Sequence, residues 1–227
     1  MIAATILPLA LLGALLGLDV VSFPQAMISR PIASATITGA LVGQPTSGLI
    51  IGAALELIAL DTLPFGASRY PEWGSASVVG GAIFSMHPSH PAGALTVALV
   101  SALATGWLGG WSMVQLRRLN AVWARQRRDA IEAGARGSII SLQLMGMTAD
   151  LIRGGALTAL GFAVFAPVAT IAIGRWWGSA GVERTFAVAI AASVTGGAAW
   201  RLYHATIGAR WFFLSGLVVG LVLLLVR

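Results

Sequence analysis

Long runs without a charged side chain constrain this chain more than any other feature of its sequence. The stretches Pro91–Leu116 and Gly154–Gly174 contain no Asp, Glu, Lys or Arg, and a helix needs about 20 consecutive apolar residues to cross a bilayer. Similar runs occur at Met1–Leu18, Pro31–Leu55 and Trp211–Val226. A water-soluble domain has no place for so many apolar segments, so the pattern predicts a polytopic membrane protein.

The composition supports the same conclusion. Apolar residues make up 57% of the chain and charged residues only 10%, against about 25% charged residues in soluble domains. We therefore predict an all-α polytopic membrane protein with roughly 6–8 membrane segments, some of them half-helices, forming a single integral membrane domain over residues 1–227. The first arginine is Arg30, so the first apolar run lacks the basic flank of a secretory signal and is expected to remain as a helix.

The charge balance points to the membrane rather than to nucleic acid. The formal net charge is +6, and arginine supplies all of the basic residues. The densest basic segment, residues 117–136, is expected to form an amphipathic cytoplasmic loop, because arginine-rich loops stay on the cytoplasmic side. We expect no nucleic-acid partner. Cysteine is absent, which excludes disulfides and thiol chemistry.

The segment between Arg30 and Asp61 predicts a re-entrant helical hairpin. Its two apolar pieces, Ile32–Val42 and Gly48–Leu60, are separated by the sequence GQPTS, and each is too short to cross the hydrocarbon core alone. Pro45 disfavours helix at the residue before it, while Thr46 or Ser47 could cap the second helix. One continuous helix kinked at Pro45 is the alternative. Broken helices of this kind mark substrate sites in transporters.

Glu56 is the strongest candidate for a binding residue. A carboxylate inside an apolar segment is costly unless it faces a cavity or a partner, and Glu56 continues the stripe of Gly48 and Gly52 along one helix face. A structural ion pair with an arginine such as Arg30 is the alternative. Small residues repeat four apart elsewhere, as at Gly13 and Gly17, which favours close helix packing and an oligomer.

Other polar side chains flank the predicted hairpin. Upstream, Gln25 and Arg30 offer the donors and acceptors that sugar hydroxyls need; downstream, Asp61 and Glu72 are further candidates. A polar interhelical loop would explain the same residues. The sequence provides no catalytic constellation, no cofactor motif and no third ligand for a metal beside His87 and His90; a Ser-dependent intramembrane protease is disfavoured for the same reason.

This pattern resembles the membrane channel subunit, IIC, of mannose/fructose/sorbose-family sugar phosphotransferase systems. The resemblance covers roughly residues 20–80 and is carried by the sequence GQPTSG, by Glu56 within LIIGAALELIAL, and by Gln25, Arg30–Pro31, Gly39, Gly66–Ala67 and Pro71–Glu72. Gln44 stands where the family usually has Asp, and Pro45 follows it.

The resemblance implies a concrete role. Such a subunit lies in the bacterial cytoplasmic membrane, pairs with a second membrane subunit called IID, and binds a hexose or amino sugar that the cytoplasmic proteins IIA and IIB phosphorylate during uptake. It carries no phosphorylated residue, so only the whole complex is an enzyme of class EC 2.7.1. The alternative is a membrane scaffold or sensor that keeps the fold without transport, and it rests on Gln44 and Pro45.

A conservative substitution tests the assignment of Glu56. If Glu56 lines the sugar path, Glu56→Gln abolishes sugar binding and leaves membrane insertion intact, because the side chain keeps its size and loses only its charge. Equilibrium binding of labelled sugars to the purified variant measures the effect. An unchanged affinity would remove Glu56 from the site.

Overall fold

The computed structural model describes residues 2–60, 62, 69–88, 91–176, 178–203, 206 and 208–225. All regular structure in these residues is helical, which confirms the predicted all-α fold. The helices are α1 (Ile2–Val21), α2 (Pro31–Leu41), α3 (Pro45–Ala59), α4 (Trp73–Ser85), α5 (Pro91–Gln126), α6 (Arg128–Glu132), α7 (Arg136–Gly174), α8 (Ala180–Tyr203) and α9 (Ala209–Leu225).

Helix α4 is the centre of the packing. Each of its residues from Trp73 to Ser85 is buried, as expected for a helix that is apolar or small on all faces. Its neighbours are α1, α2, α3, α5 and α7. They contribute to one continuous apolar core that includes Leu16, Leu55 and Phe162. The short α4 is therefore surrounded by protein.

Helices α2 and α3 form the predicted helical hairpin. Gly43 has a φ of +79°, which lets the chain reverse there, and the backbone N–H of Gln44 donates to the carbonyl of Gly39 at 2.7 Å. The two helices pack side by side, which excludes one continuous kinked helix. Helix α3 starts at Pro45, after a Gln44 that makes no side-chain cap, so the predicted cap by Thr46 or Ser47 was wrong. The re-entrant placement in a bilayer stays a prediction.

A second break between helices separates α4 from α5. Helix α4 ends at Ser85 and α5 begins at Pro91. The ring of His87 lies 2.8 Å from the carbonyl of Ile83 through Nδ1, which ties it to the preceding helix. His90 lies outside the described residues. Within the described part of the chain no three acidic, His or Cys side chains lie together as a metal site.

Helices α5 and α7 are the long elements of the fold. With 36 and 39 residues, they extend about 54 and 58 Å, well beyond a hydrocarbon core of about 30 Å. Among the described helices these two are long and apolar enough to cross a membrane. The basic segment 117–136 joins these two helices. Its first part belongs to the end of α5, and its middle forms the short α6. Its cytoplasmic location stays a prediction.

Glycines bring α1 and α7 into backbone contact. A Cβ atom on Gly17 would lie 3.1 Å from the Cα of Gly154, and one on Gly154 would lie 2.8 Å from the carbonyl oxygen of Gly13. The close packing expected at Gly13 and Gly17 is thus confirmed. Gly216 and Gly220 on α9 also lie four residues apart, but no heavy atom lies within 4 Å of a Cβ at either position, so this pair has no packing role within the described residues.

The hairpin depends on the absence of a side chain at Gly39. A Cβ atom there would lie 2.6 Å from the carbonyl oxygen of Gln44 and 2.8 Å from the Cα of Gly48, and neither backbone atom can yield. We expect Gly39→Ala to lower the free energy of unfolding by about 1–3 kcal/mol. Thermal unfolding in detergent measures the loss.

The matched control is Gly137→Ala at the start of α7. No heavy atom lies within 4 Å of a Cβ at Gly137, so this variant is expected to be as stable as the parent or slightly more stable. Equal stability of the two variants would contradict the close packing of α2 against α3.

Candidate functional site

A cavity of about 430 Å³ lies where several helices end. It is lined by the C-terminal end of α1, the segment 22–30, the N-terminal end of α2, the end of α3 and the start of α4. Such volumes suit small-molecule ligands, and discontinuous helices expose backbone and polar side chains within an otherwise apolar bundle. Its polar and aromatic lining residues are Asp19, Gln25, Ser29, Arg30, Thr62, Tyr70 and Trp73.

Asp19 organises the segment between α1 and α2. The residue is only 1% exposed, and its two carboxylate oxygens accept hydrogen bonds from the backbone N–H groups of Ala26 at 2.7 Å and Ser29 at 2.9 Å. In the same segment, Gln25 and Met27 adopt left-handed backbone with φ of 58° and 62°. This conformation is uncommon for residues other than glycine, and such outliers cluster at ligand sites.

Gln25 lies on this segment and lines the cavity. Its amide nitrogen donates back to the carbonyl of Val21 at the end of α1, which orients the side chain along the cavity wall. The left-handed backbone at Gln25 places the amide group there. Asp19 therefore acts on the cavity both directly, as a lining residue, and through the loop that it holds.

Arg30 and Glu56 form an ion pair beside the cavity. The guanidinium Nη2 of Arg30 donates to Glu56 Oε1, and Glu56 Oε2 accepts the backbone N–H of Ile32 at 3.2 Å. The first N–H groups of a helix lack intrahelical partners and carry partial positive charge. The Glu56 carboxylate on α3 thus caps the N-terminus of α2, while Arg30 alone of the pair lines the cavity.

Glu72 has a corresponding role at the start of α4. Its carboxylate oxygens accept the backbone N–H of Ser75 at 3.1 and 3.2 Å, which makes Glu72 the N-cap of that helix. The residue is 1% exposed, and its own backbone N–H donates to the carbonyl of Gly106 on α5 at 2.9 Å. Glu72 therefore connects α4 to α5 and does not line the cavity.

Two aromatic side chains form one wall of the cavity. The indole Nε1 of Trp73 donates to Thr62 Oγ1 at 2.9 Å. The hydroxyl of Tyr70 accepts a hydrogen bond from Arg117 Nη2 at 2.9 Å, and the guanidinium lies 5.2 Å from the centre of the tyrosine ring. Both rings are held by polar contacts at their edges, so their faces are fixed relative to the cavity.

The structure brings together part of the predicted site. Gln25 and Arg30 line the cavity, Glu56 contacts Arg30, and Glu72 lies one residue before the lining Trp73. Asp61 and the loop residues Gly66 and Ala67 lie outside the described residues. For Glu56 the geometry is the ion pair with Arg30, which the sequence left open as the alternative.

Sequence reasoning missed a polar cluster in the middle of α7. Asp150 is 2% exposed; it accepts hydrogen bonds from Ser22 Oγ at 2.7 Å and from Arg153 Nε at 2.9 Å, and Arg153 Nη1 also reaches Ser112 Oγ on α5 at 3.2 Å. Two opposite charges three residues apart in an apolar run were the signal that could have found it.

The class of protein follows from fold and site. The chain matches a solved structure described as "Structure of membrane protein" with a TM-score of 0.69 and 16% identity, over 96% of this chain and 86% of that chain. The likeness shows that the two chains share an all-α fold, and in this chain a helical hairpin lies beside a polar cavity. Residues 3–174 match the family described as "PTS system sorbose-specific iic component". The chain belongs to this family of IIC subunits of sugar phosphotransferase systems, which are integral membrane components.

Two curated relatives agree with the family. The "PTS system sorbose-specific EIIC component" of Lacticaseibacillus casei is 40% identical over 50 residues, which cover 22% of this chain and 18% of the relative. The "PTS system mannose-specific EIIC component" of Escherichia coli K12 is 36% identical over 75 residues, covering 32% and 28%. The matched stretches thus span less than a third of these relatives' lengths. The predicted resemblance is confirmed.

The role of Asp19 is testable without a ligand. Asp19→Asn replaces one of its two accepting oxygens with an amide that cannot accept a backbone N–H. We expect hydrogen exchange at the amides of Ala26 and Ser29 to rise about tenfold or more, which corresponds to a loss of ~1.4 kcal/mol of local stability. Hydrogen exchange with mass spectrometry on the segment 22–30 measures it.

The control is Asp129→Asn, the same substitution at an exposed position on α6. It is expected to leave exchange in the segment 22–30 unchanged. Equal protection of that segment in Asp19→Asn and in the parent would mean that the loop is held by other contacts.

Proposed function

We propose that this chain binds a hexose or an amino sugar in the cavity between α1, α2 and α4, as the sugar-translocating IIC subunit of a phosphotransferase system. The observation that carries the proposal is the lining of the cavity. It combines a carboxylate, an amide, a guanidinium and a hydroxyl with two aromatic rings. Sugar hydroxyls both donate and accept, so they need such mixed partners, and aromatic faces pack against the C–H faces of a sugar ring.

Within this proposal the residues that line the cavity and those that support them have separate roles. Arg30 donates to sugar oxygens, and Glu56 holds its guanidinium in place through the ion pair. Gln25 presents its amide from the segment that Asp19 organises. Trp73 and Tyr70 stack on the ring of the sugar. Glu72 caps the start of α4 and so holds Trp73, the first residue of that helix, in its position at the cavity.

The proposed partners follow from the division of labour in the family. The chain works in the bacterial cytoplasmic membrane as a multi-pass subunit, beside a IID membrane subunit, and presents the sugar to the phosphorylated cytoplasmic IIA and IIB proteins. The phosphoryl group is transferred by those partners, and this chain contributes binding and passage. The basic hairpin formed by the end of α5, α6 and the start of α7 lies on the cytoplasmic side of the membrane, because arginine-rich loops are retained there.

A scaffold or sensor without transport is the second candidate. It rests on Gln44 and Pro45 at the tip of the hairpin. Neither residue lines the cavity, so the altered tip leaves the proposed sugar contacts in place. Sugar binding together with uptake favours the permease, and saturable binding without uptake in the complete system favours the sensor.

Arg30 gives the most direct test. We expect Arg30→Gln to raise the Kd for the bound sugar about 10- to 100-fold, because a hydrogen bond from a charged donor contributes about 1.5–3 kcal/mol. The measurement is equilibrium binding of radiolabelled mannose, fructose, sorbose and glucosamine to the purified complex. Arg30→Lys keeps the charge opposite Glu56 and loses the planar fork, so it separates weakened binding from misfolding.

The matched control is Arg136→Gln, on the exposed start of α7, which is expected to bind sugar like the parent. A folded Arg30→Gln or Arg30→Lys variant with unchanged affinity would remove the cavity from the binding path. No saturable binding of any of the four sugars by a folded wild-type complex would overturn the proposed function itself.

A further inference from the structure

A second cavity, of about 650 Å³, lies between the long arms of α5 and α7. Its walls come from residues 113–124 of α5 and 139–150 of α7, closed at one end by Val21 and Ser22. The lining is mostly apolar, with five polar side chains among it: Ser22, Arg117, Asn120, Gln143 and Asp150. None of them belongs to the sugar cavity described above.

The two cavities adjoin each other. Val21, at the end of α1, lines both of them. Tyr70 of the first cavity accepts a hydrogen bond from Arg117 of the second at 2.9 Å, and Ser22 donates to Asp150 at 2.7 Å at the same boundary. Two polar contacts, Tyr70–Arg117 and Ser22–Asp150, therefore lie where the two cavities meet, and we call them the partition. Each contact joins groups on separate elements, so it can break without unfolding a helix.

One side chain in the wall of the second cavity has an oxygen atom without a hydrogen-bond partner. The side-chain oxygen Oδ1 of Asn120 is buried and has no hydrogen-bond partner among the described residues. Buried polar atoms are paired in the great majority of cases, with protein, water or ligand. Asn120 lines the second cavity, but its Oδ1 is itself buried, so a donor entering the cavity can reach this oxygen only after the amide turns toward the cavity.

The second cavity lies toward the basic end of the molecule. Its walls are the parts of α5 and α7 that lead to α6, and the segment 117–136 between them carries six arginines against Asp129 and Glu132. Arginine-rich loops stay in the cytoplasm. The first cavity is on the far side of the partition from this hairpin.

We propose that the second cavity is the chamber through which the sugar leaves the first cavity toward the cytoplasm, and that the Tyr70–Arg117 and Ser22–Asp150 contacts close the passage between them. This inference rests on the proposed function, since it assigns the exit of the same sugar. Asn120, Gln143 and Arg117 contact the sugar hydroxyls in this chamber after the partition opens.

The absence of cysteine allows a clean test. The chain has no native cysteine, so Ala124→Cys places a single reactive thiol of this subunit on the wall of the second cavity. In inside-out vesicles containing the full chain with its partner subunits, a bulky membrane-impermeant maleimide added to the cytoplasmic face is expected to label it. Labelling then abolishes sugar translocation, while equilibrium binding of the same radiolabelled sugar is unchanged.

The matched control is Ala133→Cys, on the same hairpin but exposed and outside the second cavity. Its labelled form is expected to keep both binding and translocation. Normal translocation by fully labelled Ala124→Cys protein would overturn the proposal, and so would equal loss in the two labelled variants, since the effect would then come from the hairpin as a whole.

A second variant tests the partition without any label. Ser22→Ala removes the hydrogen bond to Asp150, and we expect bound sugar to be released to the cytoplasmic side about tenfold faster. The control is Ser138→Ala, at a half-buried position near the start of α7 that does not line the second cavity. An unchanged release rate overturns the partition. These failures leave sugar binding intact and so differ from failure of the proposed function, in which the wild-type complex binds none of the sugars.

Discussion

Carboxylates at the ends of short helices hold the centre of this molecule together. The start of a helix leaves backbone N–H groups without intrahelical partners, and a nearby carboxylate can accept hydrogen bonds from them. Glu56 supplies the acceptor for α2 from the neighbouring helix, and Glu72 supplies it for its own helix α4. Asp19 does the same for the loop between α1 and α2. The first cavity lies among these three carboxylates, so its shape depends on them.

Close helix packing determines how near these groups come to one another. Gly39 lets α2 and α3 touch along the hairpin, which is what places Glu56 against Arg30 and the first turn of α2. The glycines of α1 and α7 bring Ser22 within reach of Asp150 by the same means. In a membrane protein, small residues take this role because lipid offers no hydrophobic drive for helices to associate. At both cavities, the close packing of helices at glycines therefore decides which polar side chains come within hydrogen-bond distance of each other.

Several elements of the fold were predictable from local patterns. Long uncharged runs predicted an all-α membrane protein, and the polar GQPTS break predicted the hairpin, because proline and glycine act on the backbone at their own positions. The start of α3 was placed wrongly, since Pro45 itself occupies its first turn. Gln25 and Arg30 were predicted as site residues because their polarity stands out in an apolar context, and both line the first cavity. Thr62 and Tyr70 were not identified as lining residues, since nothing in their local sequence shows which side faces a cavity.

By itself, the sequence determined that the chain lies in lipid, that its fold is helical, which family it belongs to, and roughly where its polar groups lie along the chain. These follow from hydropathy, helix length and residue order, which are properties of single segments. Only the tertiary structure decided what each charged side chain does: Glu56 and Glu72 cap helices, while Asp19 and Arg30 line the cavity. It also decided that Asp150, over a hundred residues from Ser22 in the chain, lies beside it. The reason is physical, because the partner of a buried charge is whatever the packing brings within hydrogen-bond distance.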